Sequence, residues 1–172
     1  MQVKGLMKNY KLILCFILTF LLFISFSASA LEYTIDNDDA QGYSNTRYGY
    51  DTYMQYSYLY LGDARRQETG HELTYYRWVY PTYTKAGKMN VQVSVYLNHN
   101  DFTDPQASYA LHCHSGFHQI GFLNQRNAPS GWSVFPTKVF TSNQHSTDFL
   151  SLQSPSERGY NTGADGVIIK FS

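Results

Sequence analysis

The chain has 172 residues, 43% of them hydrophobic, with 13 Lys and Arg balanced by 13 Asp and Glu. A neutral chain without a basic stripe offers no surface for nucleic acid or for an anionic membrane. Its length suits one domain that buries a core of its own.

Residues 1–30 read as a leader. Lys4, Lys8 and Lys11 precede an uncharged apolar run from Leu12 to Phe26, and Ala28-Ser29-Ala30 follows it. That is the basic, apolar and small-residue order of a secretory signal peptide. The run is short for a membrane span and no basic cluster stops it. Met7 would start an equally good leader. Cleavage after Ala30 predicts a secreted, extracellular domain over 31–172, without a membrane anchor. The three leader lysines leave with it, so the remaining chain carries a net charge of −3. Cys113 is then the one cysteine left, so no internal disulfide holds the fold. It is either a small buried residue or a thiol that pairs with another chain.

The rest of the chain alternates rather than following a helical period. Strands are predicted at Tyr33–Asp36, Tyr56–Leu61, Leu73–Tyr80, Met89–Leu97, Ser108–His114, Phe117–Leu123, Ser133–Thr141, Asp148–Leu152 and Gly166–Phe171. The pattern is cleanest where Met89, Val91, Val93, Val95 and Leu97 point one way and Asn90, Gln92, Ser94 and Tyr96 the other. Turns are expected at Lys85–Lys88 and at Ser115-Gly116, and a loop at Ser142–Ser146. Many short strands with frequent turns indicate an all-β fold, a two-sheet antiparallel β-sandwich of jelly-roll type.

Several clusters could carry chemistry. His112, His114 and His118 are weak candidates for a metal, because a hairpin at Ser115-Gly116 would have to bring the third imidazole back to the first two. Ordinary imidazoles at a strand end are the better reading. Asp36, Asp38 and Asp39 beside Asn37 have the oxygen ligands of a hard cation, but read better as an Asx turn. Asp165, before the last strand, is placed to bond turn amides. Asp63, Glu68 and Glu72 near His71 are the only grouping a hydrolase could draw on, and no catalytic motif accompanies them. No cofactor and no catalytic residue is predicted.

Tyrosine is the compositional outlier, with 16 in the chain. Half-buried strands reward Tyr, and so does a surface that stacks on sugar rings. Read as a strand, Tyr56–Leu61 turns Leu59 and Leu61 inward and aligns Tyr56, Tyr58 and Tyr60 outward. These three, with Tyr50 and Trp132, form the predicted ligand surface; Trp78 is assigned to the core.

The order of these pieces resembles the golvesin C-terminal-like domain, also called the xanthan-lyase carbohydrate-binding-like domain. The resemblance runs through Tyr33-Thr34-Ile35-Asp36-Asn37-Asp38-Asp39, Tyr76-Arg77-Trp78 and Ala86–Val93. It continues through Ala107–Gly116, Phe122-Leu123-Asn124-Gln125-Arg126 and Gly131-Trp132-Ser133, and closes on Gly163–Phe171. Gly42–Leu61 is rich in Tyr where the family uses Gly, Ser and Trp, and Gly166 stands where the family has Ala. The resemblance implies a two-sheet β-sandwich acting as a non-catalytic module. Together with the leader, it predicts a secreted binding domain for polysaccharide or cell-envelope glycan. A structural or interaction protein of the cell surface or matrix is the alternative, and a small secreted hydrolase a second.

Overall fold

A computed structural model of the chain describes residues 30–37, 46–48, 52–67, 74–154 and 159–172. The leader up to Ser29, Asp38 and Asp39, Tyr50, and Glu68, His71 and Glu72 lie outside the described residues.

The fold is all-β and antiparallel. The described strands are β1 (Leu31–Ile35), β2 (Thr46–Tyr48), β3 (Thr52–Gln55), β4 (Asp63–Arg66), β5 (Thr74–Leu97), β6 (Ala107–Cys113), β7 (Gly116–Leu123), β8 (Gly131–Val134), β9 (Lys138–Ser154), β10 (Gly163–Ala164) and β11 (Val167–Phe171). The large sheet runs β1-β11-β5-β9-β6-β7, with β2 and β8 also paired to β5; a small sheet runs β10-β4-β3.

The predicted alternation in Met89–Leu97 holds except at Ser94, which the pattern places outward but which is 7% exposed where β5 lies between β11 and β8. Met89, Val91, Val93, Val95 and Leu97 are all buried, while Asn90, Gln92 and Tyr96 are half-exposed. Tyr76 and Trp78 are likewise buried, as the period-2 pattern requires.

Two long strands close the sandwich. The 24-residue β5 pairs with β9 from Thr74↔Ser154 to Val91↔Lys138, with register shifts between Val79 and Tyr83 and between Lys85 and Gly87. β8 and β9 both lie on the side of β5 away from β11, with Tyr109 level with Tyr76 of β5 and Phe135 level with Val93, so in a flat sheet the two would be 17 residues apart along β5, roughly 55 Å. Instead the rings of Tyr109 on β6 and Phe135 after β8 are 5.2 Å apart. Tyr80 meets Phe171 of β11 at 5.9 Å. The large sheet therefore bends back over its own inner face, and bulges of this kind supply such bends.

Four sequence expectations change. Lys85–Lys88 is not a turn: β5 passes straight through it, and Gly87, at φ +80°, absorbs a bulge there. Ser142–Ser146 is not a loop but the matching stretch of β9. Ser133–Thr141 is broken after Val134, and Pro136, which has no N–H to donate, sits in the break. Tyr56–Leu61 is a turn closing into a 3₁₀ segment at Tyr60–Gly62, not a strand. The Ser115-Gly116 hairpin forms between β6 and β7 as predicted.

Candidate functional site

One end of the sandwich gathers four connections: 56–62, 98–106, 124–130 and 159–166. Backbone and side-chain bonds tie them to one another. Gln125 is buried, and its amide donates to Tyr109 Oη (3.0 Å) and to the Gly163 carbonyl (2.9 Å) while accepting from Gly163 N–H (2.9 Å). The Gln125 N–H donates to the Asp104 carbonyl at 2.8 Å. The Asp104 carboxylate takes the Thr162 hydroxyl (2.7 Å) and the Gln106 N–H (2.8 Å). Buried amides and carboxylates satisfied in this way fix the loop backbones rather than contacting a ligand.

The turn joining β3 to β4 carries the tyrosines. It is closed by Tyr56 N–H to the Gly62 carbonyl (2.9 Å) and by Leu59 N–H to the Tyr56 carbonyl (3.0 Å). Leu59 is the buried anchor, whereas Leu61 is 66% exposed at φ 50°, against the expectation that both face the core. Two donors from β5 and the residue after it hold the turn from outside: Tyr96 Oη (3.1 Å) and Asn98 Nδ2 (2.8 Å) both reach the Tyr58 carbonyl.

The three predicted tyrosines consequently split. The Tyr56 and Tyr58 rings are exposed and stack on each other at 5.1 Å and 10°, with His99 beside both at 5.0 and 5.7 Å. Tyr60 turns away, half-buried, against Tyr96 (5.7 Å) and Trp132 (5.2 Å). Trp132 is half-buried too and packs on Tyr96 at 5.3 Å. Tyr60 and Trp132 thus support the turn from behind, and Tyr56 and Tyr58 face solvent. Tyr53, 43% exposed, adds a third exposed ring with Arg65 over it at 4.4 Å.

A groove opens beside Tyr58. Tyr58, Asn98 and Asn100 line one part; Leu97, Asn98, His99, Asn100, Gln125, Arg126, Ala128 and Ser130 line the adjoining part. The two share Asn98 and Asn100. His99 Nδ1 accepts from Asp101 N–H at 2.9 Å, which leaves the proton of a neutral ring on Nε2. An aromatic platform bordered by amides, a hydroxyl and a guanidinium matches the two needs of a sugar, an apolar ring face and directed hydrogen bonds to its hydroxyls. Asn98, Asn100 and Arg126 were not marked by the sequence, since exposed loop residues follow no period.

Asp165 joins this turn to the core. It is 2% exposed; its Oδ1 accepts from Gly166 N–H (2.8 Å) and its Oδ2 from Tyr60 N–H (3.3 Å). Its own carbonyl takes Trp78 Nε1–H at 2.9 Å. This is the turn-amide role the sequence predicts for Asp165. Burial pushes its carboxyl up to about 8; the Tyr60 and Gly166 N–H groups pull against that, and the charges of Asp36 and Asp63 add to it. Gly166 has its own reason. A Cβ there would sit 2.4 Å from Cδ1 of Tyr60, so the ring occupies the space an Ala would need.

The remaining candidates do not converge. His112 lies opposite Phe117 and His118 opposite Leu111, which puts the two imidazoles on opposite faces of the hairpin. His112 Nδ1 meets Asp148 at 2.9 Å and its ring stacks on Phe149; His118 Nε2 bonds the Ser115 hydroxyl at 2.8 Å. Among the described residues no group of three or more metal-ligating side chains is assembled. The Asp36 carboxylate accepts from Asn37 N–H at 2.8 Å, as a turn residue does. Asp63 is on β4, where it accepts from Tyr53 Oη at 2.8 Å. Cys113 is buried, and burial pushes its thiol up, away from reactivity. A second aromatic row, Tyr75, Arg77, Phe149, His112 and Phe117, crosses β5, β9, β6 and β7. In it Arg77 lies over Tyr75 and Phe149, and His112 is parallel to Phe149 at 4.4 Å.

The chain is similar in fold to part of one solved structure, and more distantly to others. Xanthan lyase from Paenibacillus superposes with a TM-score of 0.50 at 19% identity over 80% of this chain; the match spans 13% of that enzyme's length. The C-terminal CBM6 of the laminarinase LamC from Zobellia galactanivorans gives a TM-score of 0.47 at 9% identity, covering 81% of this chain and 98% of that module. The CBM35 of Abf62 from Cellvibrio japonicus gives 0.45 at 9% identity, covering 82% and 92%. No family model and no characterised protein sequence matches the chain.

Proposed function

We propose that residues 31–172 form an exported, non-catalytic glycan-binding domain. The Tyr56–Tyr58 platform and the Asn98–Asn100 groove are its sugar site. One observation carries this reading. Two exposed, parallel tyrosine rings sit on a turn whose backbone is fixed from three sides, at the mouth of a groove lined by hydrogen-bonding side chains. A turn this well anchored presents the two rings at little further entropic loss on binding. The golvesin-type resemblance implies the same role. Export rests on the basic, apolar and small-residue order of residues 1–30.

The test is a glycan array probed with residues 31–172, followed by calorimetric titration of any oligosaccharide it retains. Tyr58→Ala removes an exposed ring while leaving the carbonyl that Tyr96 and Asn98 hold. Affinity should fall about tenfold, and the melting temperature should move by no more than about 2 °C. Undiminished affinity in that variant would rule this platform out as the site.

A further inference from the structure

We infer that this groove is built for glycans that carry carboxylate groups, with Arg126 as the residue that clamps the carboxylate; the inference rests on the glycan-binding reading above. Tyr58, Leu97, Asn98, His99, Asn100, Gln125, Arg126, Ala128 and Ser130 line the groove, and none of these is acidic. The nearest acidic side chain in sequence, Asp101, pairs with Arg66 at 3.5 Å and lies 3.8 Å from His99 Nδ1. Arg126 differs from the other arginines with described side chains. Arg66 pairs with Asp101, Arg65 lies over Tyr53, and Arg77 lies over Tyr75 and Phe149. Among the described residues no carboxylate lies within ion-pair distance of Arg126, which is exposed at the groove wall.

The backbone under Arg126 is rigid. The residue before it is Gln125, whose amide is fully bonded in the core, and the residue after it is Asn127, whose N–H is capped by Asn124 Oδ1 at 3.1 Å. A guanidinium on a fixed base presents a planar fork that matches a carboxylate with two parallel hydrogen bonds. The remainder of the exported chain is net negative, so the protein has no general attraction for an anionic polymer. Selection for the acid therefore has to be local, and Arg126 is where the groove supplies it. In this arrangement the sugar ring lies on Tyr58, its hydroxyls meet Asn98 and Asn100, and its carboxylate points to Arg126.

The experiment uses residues 31–172 and oligosaccharides of glucuronate, galacturonate and mannuronate, each beside its methyl ester, with a neutral glucan and a sulfated galactan as further arms. The expected result is that at least one uronate binds about tenfold more tightly than its own ester, and that the difference shrinks as salt rises from about 0.05 to 0.5 M. Arg126→Gln should bring acid and ester to the same affinity, and Arg126→Lys should restore part of the gap, since it keeps the charge but loses the fork. Equal affinity for acid and ester in the wild type, or a gap that survives Arg126→Gln, overturns the inference while leaving the site standing, provided Tyr58→Ala still weakens both. Tighter binding of the sulfated galactan than of any uronate overturns the choice of carboxylate. If Tyr58→Ala changes nothing, or no arm binds, the glycan site itself falls, and the inference with it.

Discussion

Asp165 gives the sharpest physical prediction, because its position links the core to the aromatic turn. Its carboxyl is 2% exposed and its pKa is raised from 3.8 to about 8, with burial as the first cause. A raised folded-state value means that the native chain binds more protons than the unfolded chain between about pH 4 and pH 8. Stability contributed by this group is therefore complete below about pH 4, declines as pH rises through that window, and is gone above about pH 8. A rise of that size, at about 1.4 kcal/mol per pH unit, amounts to on the order of 5 kcal/mol across the window. Per unit of pH that is close to 1.4 kcal/mol, or roughly 4 °C of melting temperature for a domain of this size.

Asp165→Asn isolates the effect. The amide keeps one oxygen for the Gly166 or the Tyr60 N–H and cannot ionise, so one hydrogen bond is lost at every pH and the pH dependence goes with the carboxyl. Urea unfolding of both proteins at pH 5, 6, 7 and 8 measures the difference in slope. Every other titratable group is common to both chains and cancels in the comparison. Wild type should lose stability relative to Asp165→Asn at about 1.4 kcal/mol per unit between pH 5 and pH 7, and less steeply as pH nears 8. Parallel curves from pH 5 to pH 8 would show that Asp165 ionises at an ordinary carboxylate pKa, and that the Tyr60 N–H is held by a charged rather than a neutral acid.

Three further outcomes are expected. Val93→Asp places an unpaired carboxylate where the side chain is 1% exposed, and should cost several kcal/mol, enough to unfold the domain at 37 °C in a circular dichroism melt. Gly166→Ala drives a methyl group into the Tyr60 ring and should lower stability by about 1–3 kcal/mol; in the Tyr60→Ala background that penalty should largely disappear, a coupling that a double-mutant cycle reads directly. N-terminal sequencing of exported material should begin at Leu31, and recovery of the intact leader in a membrane fraction would contradict cleavage after Ala30.

The sequence was most readable where burial imposes a period. Met89–Leu97 faces a core on one side and half-exposed surroundings on the other, so its alternation is a direct record of the fold. The Ser115-Gly116 hairpin was legible for a related reason: Gly116 sits at φ +115°, a conformation that glycine adopts without strain. Lys85–Lys88 carries the same kind of signal with a different outcome. A glycine at positive φ serves a bulge as well as a turn, and only the pairing of β5 with β9 on both sides of Gly87 distinguishes the two. That pairing joins residues far apart in the chain, such as Gly87 and Ser142, and leaves no local trace.

The Tyr-rich turn was misread because its residues alternate by chance. Tyr56, Tyr58 and Tyr60 interleaved with Ser57, Leu59 and Leu61 imitate a strand, yet only Leu59 is an anchor, and Gly62 at φ +100° ends the turn. Two oddities of the sequence then become one fact. The tyrosine enrichment before residue 61 and the glycine at 166 lie at opposite ends of the domain's sequence. In the fold the Tyr60 ring fills the volume that a methyl group on residue 166 would take, and the Tyr60 N–H bonds the Asp165 side chain next to it. The Tyr60 ring and the absent side chain at Gly166 are thus the two halves of a single packing arrangement. That arrangement turns Tyr60 inward, and with it sets the turn so that Tyr56 and Tyr58 stack in solvent beside the groove.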